Sequence, residues 1–156
     1  MQKHLKKQMK KSVLSPGIAE YFPIRERFEM EREDDRLRFQ FSKKYDSLQR
    51  EYEVIRNSND INALFQFTQL NPEHVDSLYD VGEFLRLQGN YRDADNLIQR
   101  VIYIYEIAGG YELGEFLRKA FTPTQLVYDR TSTSFFMALF KFMDILGKKG
   151  CFRSAL

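Results

Sequence analysis

From Phe39 onward the apolar positions recur at steps of three and four. Phe41, Tyr45, Leu48, Tyr52 and Ile55 line one face of a predicted amphipathic helix. Asn57, Ser58, Asn59 and Asp60 break the pattern, and the Asp60 side chain is placed to accept from the free backbone N–H groups of a second, shorter helix. In that helix Ile61, Leu64, Phe65 and Thr68 or Leu70 supply the inward set. Asn71 followed by Pro72 reads as the next start, with Asn71 as the cap and proline at a first helical position that needs no N–H. The third helix then runs to about Gln88 through Val75, Leu78, Val81, Gly82 and Leu85, and Gly89 with Asn90 ends it. A fourth begins at Tyr91, continues through Ala94, Leu97, Ile98, Val101, Ile102 and Tyr105, and stops at Gly109-Gly110. With no alternating run bounded by strand-type turns, the pattern predicts an all-α fold and requires no sheet.

The spacing inside these helices carries a repeat. A tetratricopeptide unit places a small residue on its first helix, a glycine at the turn, an aromatic after it and a small residue on the second helix, so that the two helices approach closely. Leu78, Val81, Gly82, Leu85, Gly89, Tyr91, Ala94, Ile98 and Val101 follow that order. Leu139, Phe142, Met143, Leu146, Gly150, Phe152 and Ala155 repeat it, offset by 150 − 89 = 61 residues. The usual repeat is about 34 residues, so the excess is assigned to an insertion at 109–133, containing an amphipathic stretch at 111–120 and then Pro123. The expectation is an α-solenoid fragment of tetratricopeptide-like hairpins over 37–156. It is cut short at its C-terminal end, where a partner or a continuing chain would cover the last apolar face. On the first helices the positions opposite the hairpin contacts would line a protein-binding groove: Asp76, Tyr79, Glu83 and Arg86, then Phe140, Asp144 and Lys148.

Charge changes the picture only at the N-terminus. The 156 residues hold 24 Lys plus Arg and 22 Asp plus Glu, and the excess of two lies entirely within 1–36, which carries nine basic and seven acidic residues. Lys3, Lys6, Lys7, Lys10 and Lys11 form a basic head without acids, a nuclear-localisation patch or phosphate contact in one reading and a solvated end in the other. Residues 25–38 mix both signs so densely that they read as a solvated helix or linker, which puts the start of the helical domain near Leu37.

Catalytic chemistry is not indicated. The two histidines, His4 and His74, have no ligand-spaced Asp, Glu or Cys nearby, so neither metal nor cofactor is expected. Cys151, the single cysteine, has no candidate base and reads as structural, and His74 reads as a hydrogen-bonding group in a helix's first turn. No apolar run reaches the roughly 18 residues needed to span a bilayer, and Val13-Leu14 is halted too soon by Ser15-Pro16-Gly17 to make a secretory core. A soluble, non-enzymatic protein of the cytoplasm or nucleus is the expectation.

The string Leu70-Asn71-Pro72-Glu73-His74-Val75-Asp76-Ser77-Leu78 resembles the most recognisable motif of the transcription factor 25 family, whose fungal members belong to the ribosome quality control complex. The blocks Ser134-Phe135-Phe136-Met137-Ala138-Leu139-Phe140-Lys141 and Lys149-Gly150-Cys151-Phe152-Arg153-Ser154-Ala155-Leu156 are similar to the family's later motif. Phe39-Gln40-Phe41-Ser42, Tyr45 and Asn59-Asp60-Ile61 are similar to its lead-in. The resemblance implies a scaffold acting on stalled large ribosomal subunits beside a Listerin-type ubiquitin ligase, with an AAA ATPase extracting the ubiquitinated nascent chain. Vertebrate members are also described as transcriptional repressors. That implies the alternative, a nucleic-acid-associated regulator using the lysine head for RNA or DNA.

Overall fold

The computed structural model describes residues 28–119 and 123–150. Lys3, Lys6, Lys7, Lys10, Lys11, His4 and Cys151, and the Phe152 and Ala155 rungs of the second repeat, lie outside them.

The dense charge of residues 25–38 conceals a β-hairpin. β1 (Glu29–Glu33) and β2 (Arg36–Gln40) pair antiparallel around a two-residue turn, Asp34-Asp35, in which Asp34 takes a positive φ of 51°, a conformation aspartate tolerates. Leu37 and Phe39 point inward and are buried, while Arg36, Arg38 and Gln40 point outward. Glu33 lies opposite Arg36 and Glu31 opposite Arg38, so the strands align opposite charges in register. β3 (Gln125–Leu126) adds a parallel third strand, with Gln125 N–H donating to Asp35 O and Val127 N–H to Leu37 O. The all-α expectation is corrected here: the fold is mainly helical with a small three-stranded sheet. The hairpin also straddles Leu37, where the helical domain was expected to begin. Phe28, just before β1, sits in the core with its ring 4.9–5.7 Å from those of Phe39, Phe41, Tyr45 and Tyr105.

Five helices follow among the described residues. α1 (Lys43–Ser58) starts after Ser42, whose hydroxyl accepts from Tyr45 N–H, so the residues from Phe39 that the helical period had included belong to the strand and its exit. α2 (Ile61–Leu70) is capped as expected by Asp60, which accepts from Asn62 and Ala63 N–H. α3 (Val75–Leu87) is not capped by Asn71. That residue closes α2 instead, its backbone N–H and side-chain amide both donating to Phe67 O, and the cap of α3 is His74, whose Nδ1 accepts from Ser77 N–H. α4 (Tyr91–Arg118) runs through Gly109 but breaks at Gly110, whose φ of 50° and ψ of −133° only glycine adopts without strain. Residues 111–118 then continue as a helix, and the supposed insertion returns to the sheet as β3. α5 (Thr133–Lys148) follows a turn in which Thr131 Oγ1 donates to Phe39 O and Tyr105 OH donates to Thr131 O.

Gly82 lets α3 and α4 approach. A Cβ there would sit 3.4 Å from Ile98 Cδ1, 3.5 Å from Leu97 Cβ and 3.6 Å from Ala94 O, and Ala94 itself is fully buried. The small-residue contact inferred from the repeat ladder is therefore where the two helices meet.

A polar relay crosses the first helices of the hairpins. With its Nδ1 committed to Ser77, His74 is a neutral Nε2–H tautomer that donates to Gln49 Oε1 on α1 at 2.9 Å. Gln49 Nε2 donates to Asp76 Oδ2 at 2.7 Å, and Ser134 on α5 donates to Asp76 Oδ1. Beside the relay, Val75 N–H donates to Tyr45 OH and Tyr52 OH donates to Asp80. Burial holds the His74 imidazole far below its ordinary pKa of 6.5, at about 3.

Two predictions follow from this packing. Gly82→Ala fills a space that accepts a methyl group and is expected to be neutral or to stabilise by up to about 1 kcal/mol, whereas Gly82→Leu overpacks against Ala94 and costs about 1–3 kcal/mol or more, read by urea unfolding. Because His74 is depressed when folded, its neutral form contributes stability present above pH 6.5 and lost as pH falls toward 3. The loss runs at up to about 1.4 kcal/mol per pH unit. His74→Asn keeps a capping acceptor without the titration, so its stability should fall less steeply than the parent's between about pH 6 and 4; parallel slopes would show that the imidazole is not responsible.

Candidate protein-interaction site

The first helices α1, α3 and α5 lie side by side and run parallel. Their contacts climb in step: Tyr45 to Val75, Gln49 to Asp76 and Tyr52 to Asp80 join α1 to α3. Asp76 to Ser134, Glu83 to Lys141 at 2.9 Å and Arg86 to Asp144 at 3.1 Å join α3 to α5. All three α3–α5 pairs are separated by 58 residues (134 − 76, 141 − 83, 144 − 86), so the two helices keep one register along their length.

These contacts locate the groove residues inferred from sequence. Asp76, Glu83 and Arg86 are not displayed on an open concave face, because α5 engages each of them. Tyr79 is buried at 6% exposure, and that burial, with Glu83 and Asp80 nearby, pushes its hydroxyl up to about 12. Arg86 reaches Asp95 at 3.3 Å and Asp144 at 3.1 Å with its guanidinium 5.9 Å from the Tyr91 ring centre. Lys148 adds a second cation to Asp144, and Lys149 one to Asp95. The hydrogen bond from Lys148, with Arg86 and Lys141 close by, holds the Asp144 carboxyl below its ordinary range. Arg86, Tyr91, Asp95, Lys148 and Lys149 line a corner cleft of about 340 Å³ floored by Ile145, where the ends of α3 and α5 meet the start of α4.

Phe140, by contrast, stands free at 68% exposure. Met137 and Met143 beside it are 41% and 43% exposed, an apolar face on α5 that the groove assignment contained only through Phe140. Met143 had been placed inward as the counterpart of Gly82, and it is exposed instead. The 61-residue offset does carry the missing signal, since it aligns Met137 with Asp76 and so marks an apolar residue at a position that is polar 61 residues earlier.

A second apolar cleft, about 360 Å³, lies among α2, α3 and α4, walled by Phe65, Leu78, Val81, Leu85 and Leu97. Glu83 Oε1 is buried without a hydrogen-bond partner among the described residues, its other oxygen being held by Lys141. Among the described residues no three His, Cys, Asp or Glu side chains are grouped to hold a metal, and no helix is long and apolar enough to cross a membrane.

Comparison with known proteins places this architecture. Human and mouse proteins named ribosome quality control complex subunit TCF25 are each 32% identical over 123 residues, covering 76% of this chain and 17% of their own length. The protein of the same name from Dictyostelium discoideum is 22% identical over 126 residues, 77% of this chain and 16% of its own length. The chain thus spans about a sixth of the length of the curated relatives it matches. No solved structure matches it. A family profile described as transcriptional repressor TCF25 matches residues 37–156, from the inner residues of β2 through every helix described above, and the chain belongs to the TCF25 family.

Proposed function

We propose that this chain is a non-enzymatic protein-interaction scaffold of a ribosome quality control complex. It would act on stalled nascent chains at large ribosomal subunits, with a ubiquitin ligase of the Listerin type and an AAA ATPase as its companions. The observation that carries this is the match of its helices to relatives named as subunits of that complex. Parallel first helices, a Gly82–Ala94 approach and helices ended by glycines of positive φ support its being a tetratricopeptide-like stack, an architecture that binds through extended surfaces rather than by chemistry at one centre. The cytoplasm is then its place of work, with entry into the nucleus open to a lysine-rich head.

The name of the family profile favours one further reading, transcriptional repression, in which Lys3, Lys6, Lys7, Lys10 and Lys11 contact nucleic acid. The two readings separate by salt. Tagged chain purified from its own cells and run on sucrose gradients is expected to travel with large ribosomal subunits and the ligase at both low and high salt. Migration free of the ribosome at both salts would overturn the scaffold reading. Association lost at high salt and on deletion of residues 1–11 would assign the binding to lysine–phosphate contacts instead.

A further inference from the structure

The apolar cleft of about 360 Å³ among α2, α3 and α4 has a direction as well as a volume. Its two charged lining residues, Asp93 and Arg100, both stand on α4, seven residues apart. That is a rise of about 10 Å. Asp93 is exposed in the first turn of α4. Arg100 is largely buried, with Nε–H donating to Pro72 O at 2.8 Å and the charge of Glu73 close by. Between them the walls are the side chains of Phe65, Leu97 and the inner residues of α3. An occupant that complements this trough is apolar in the middle, cationic toward Asp93 and anionic toward Arg100.

Residues 1–27 join the described structure beyond the Arg100 end. Phe28 is buried with its ring 4.9 Å from that of Tyr105, which follows Arg100 by five residues along α4 and Asp93 by twelve. Its ring is also 5.2 Å from that of Tyr45, whose hydroxyl accepts from Val75 N–H, three residues after the cleft-lining Pro72. Followed backwards from Phe28, the chain therefore meets the Arg100 end first and the Asp93 end last. Its residues come in the matching order. Behind residues 25–27 the next charge is Glu20, then residues 12–19 carry no charge and include Val13, Leu14 and Ile18, and then come Lys11 and Lys10. The eight steps from Phe28 to Glu20 extend to about 26 Å, enough to pass around α4 from Tyr105 to Arg100. The nine steps from Glu20 to Lys11 exceed the trough when extended, and the Ser15-Pro16-Gly17 turn signal shortens them.

We propose that this cleft is the docking site of residues 12–20 of the same chain, with Val13, Leu14 and Ile18 against its walls, Glu20 at the Arg100 end and Lys11 at Asp93. Docking fixes the lysine head to the start of α4, so a partner that binds the head meets the helical body as well. The inference rests on the cleft and on the order of charges, and loss of ribosome association in the gradient experiment leaves it standing.

The test is photo-crosslinking of the full chain with p-benzoylphenylalanine in place of Ile18, the cross-linked residues being located by mass spectrometry. Most cross-links are expected on cleft-lining residues of α2, α3 and α4, within a monomer. Leu14→Asp should lower that yield about tenfold or more, the scale of one leucine's burial. Lys10→Glu with Lys11→Glu should lower it about two- to fivefold, the scale of an exposed ion pair, and adding Asp93→Lys should restore it. These variants leave the helical core untouched, since Asp93 is exposed and the others precede Phe28. The same probe in place of Asn96, an exposed residue lining the cleft, should capture residues 12–20 when the chain is irradiated in its own cells.

Cross-links from position 18 that scatter over the surface, or a yield that Leu14→Asp leaves unchanged, would overturn the proposal. So would a charge swap that fails to restore the yield. Cross-links found only between two chains would make a second copy the occupant, and capture at position 96 of another protein, or of residues after 150, would give the cleft to that segment instead.

Discussion

The helical body depends on how the Asp76 carboxylate is held. It belongs to the first turn of α3, where an acidic group is favoured by the helix dipole, and it receives hydrogen bonds from Gln49 on α1 and Ser134 on α5. One side chain therefore sets the spacing of three helices. Gln49 can face Asp76 with its amide only because His74 Nε2–H occupies its carbonyl oxygen, and His74 Nδ1 can accept from Ser77 N–H only while the imidazole is neutral. Burial enforces that neutrality, so the cap of α3, the tautomer of its imidazole and the position of α1 form one constraint. An unpaired polar group at any point of the relay would carry a desolvation cost of about 1–3 kcal/mol, which favours keeping the relay whole.

Around this polar seam the packing is divided by side-chain size. Between α3 and α4 glycine and alanine allow close approach, and Ile98, Val101 and Ile102 fill the space beside them. Toward the sheet the material is aromatic: Phe28, Phe39, Tyr45, Tyr105 and Phe135 meet mostly edge to face, which suits ring quadrupoles and fills the volume under a short, strongly charged hairpin. The hairpin is thus part of the helical core and not an appendage. The break at Gly110 lets the chain leave the α4 direction and come back to β2 as a third strand.

For function, the division between closed and open faces matters more than the inventory of charged residues. Asp76, Glu83 and Arg86 each make a polar bond to α5. Phe140 and Met137, 61 residues after Tyr79 and Asp76, are exposed among the described residues.

The helical periods were legible from residue types alone. Steps of three and four, the Asp60 cap and the Gly89 stop each follow from local backbone physics that operates within one turn. The same holds for the Gly82–Ala94 pairing, since small residues at that spacing are useful only if two helices touch. The strands were less legible, although Arg36-Leu37-Arg38-Phe39-Gln40 alternates strictly. Its polar positions are all charged or amide groups, five residues are too few to outweigh a helical stripe beginning at Phe39, and an Asp-Asp turn is a weak signal beside Asn-Gly. Asn71 was a good cap lost to competition: its amide satisfies the end of α2, while burial makes His74 the acceptor for α3. The sequence by itself thus determined most of the helices and their order, because these depend on contacts between near neighbours. Only the tertiary structure decided which polar groups are consumed, that the charged segment pairs as a sheet, and that Phe140 stays exposed among the described residues, because each depends on what a distant part of the chain brings against it.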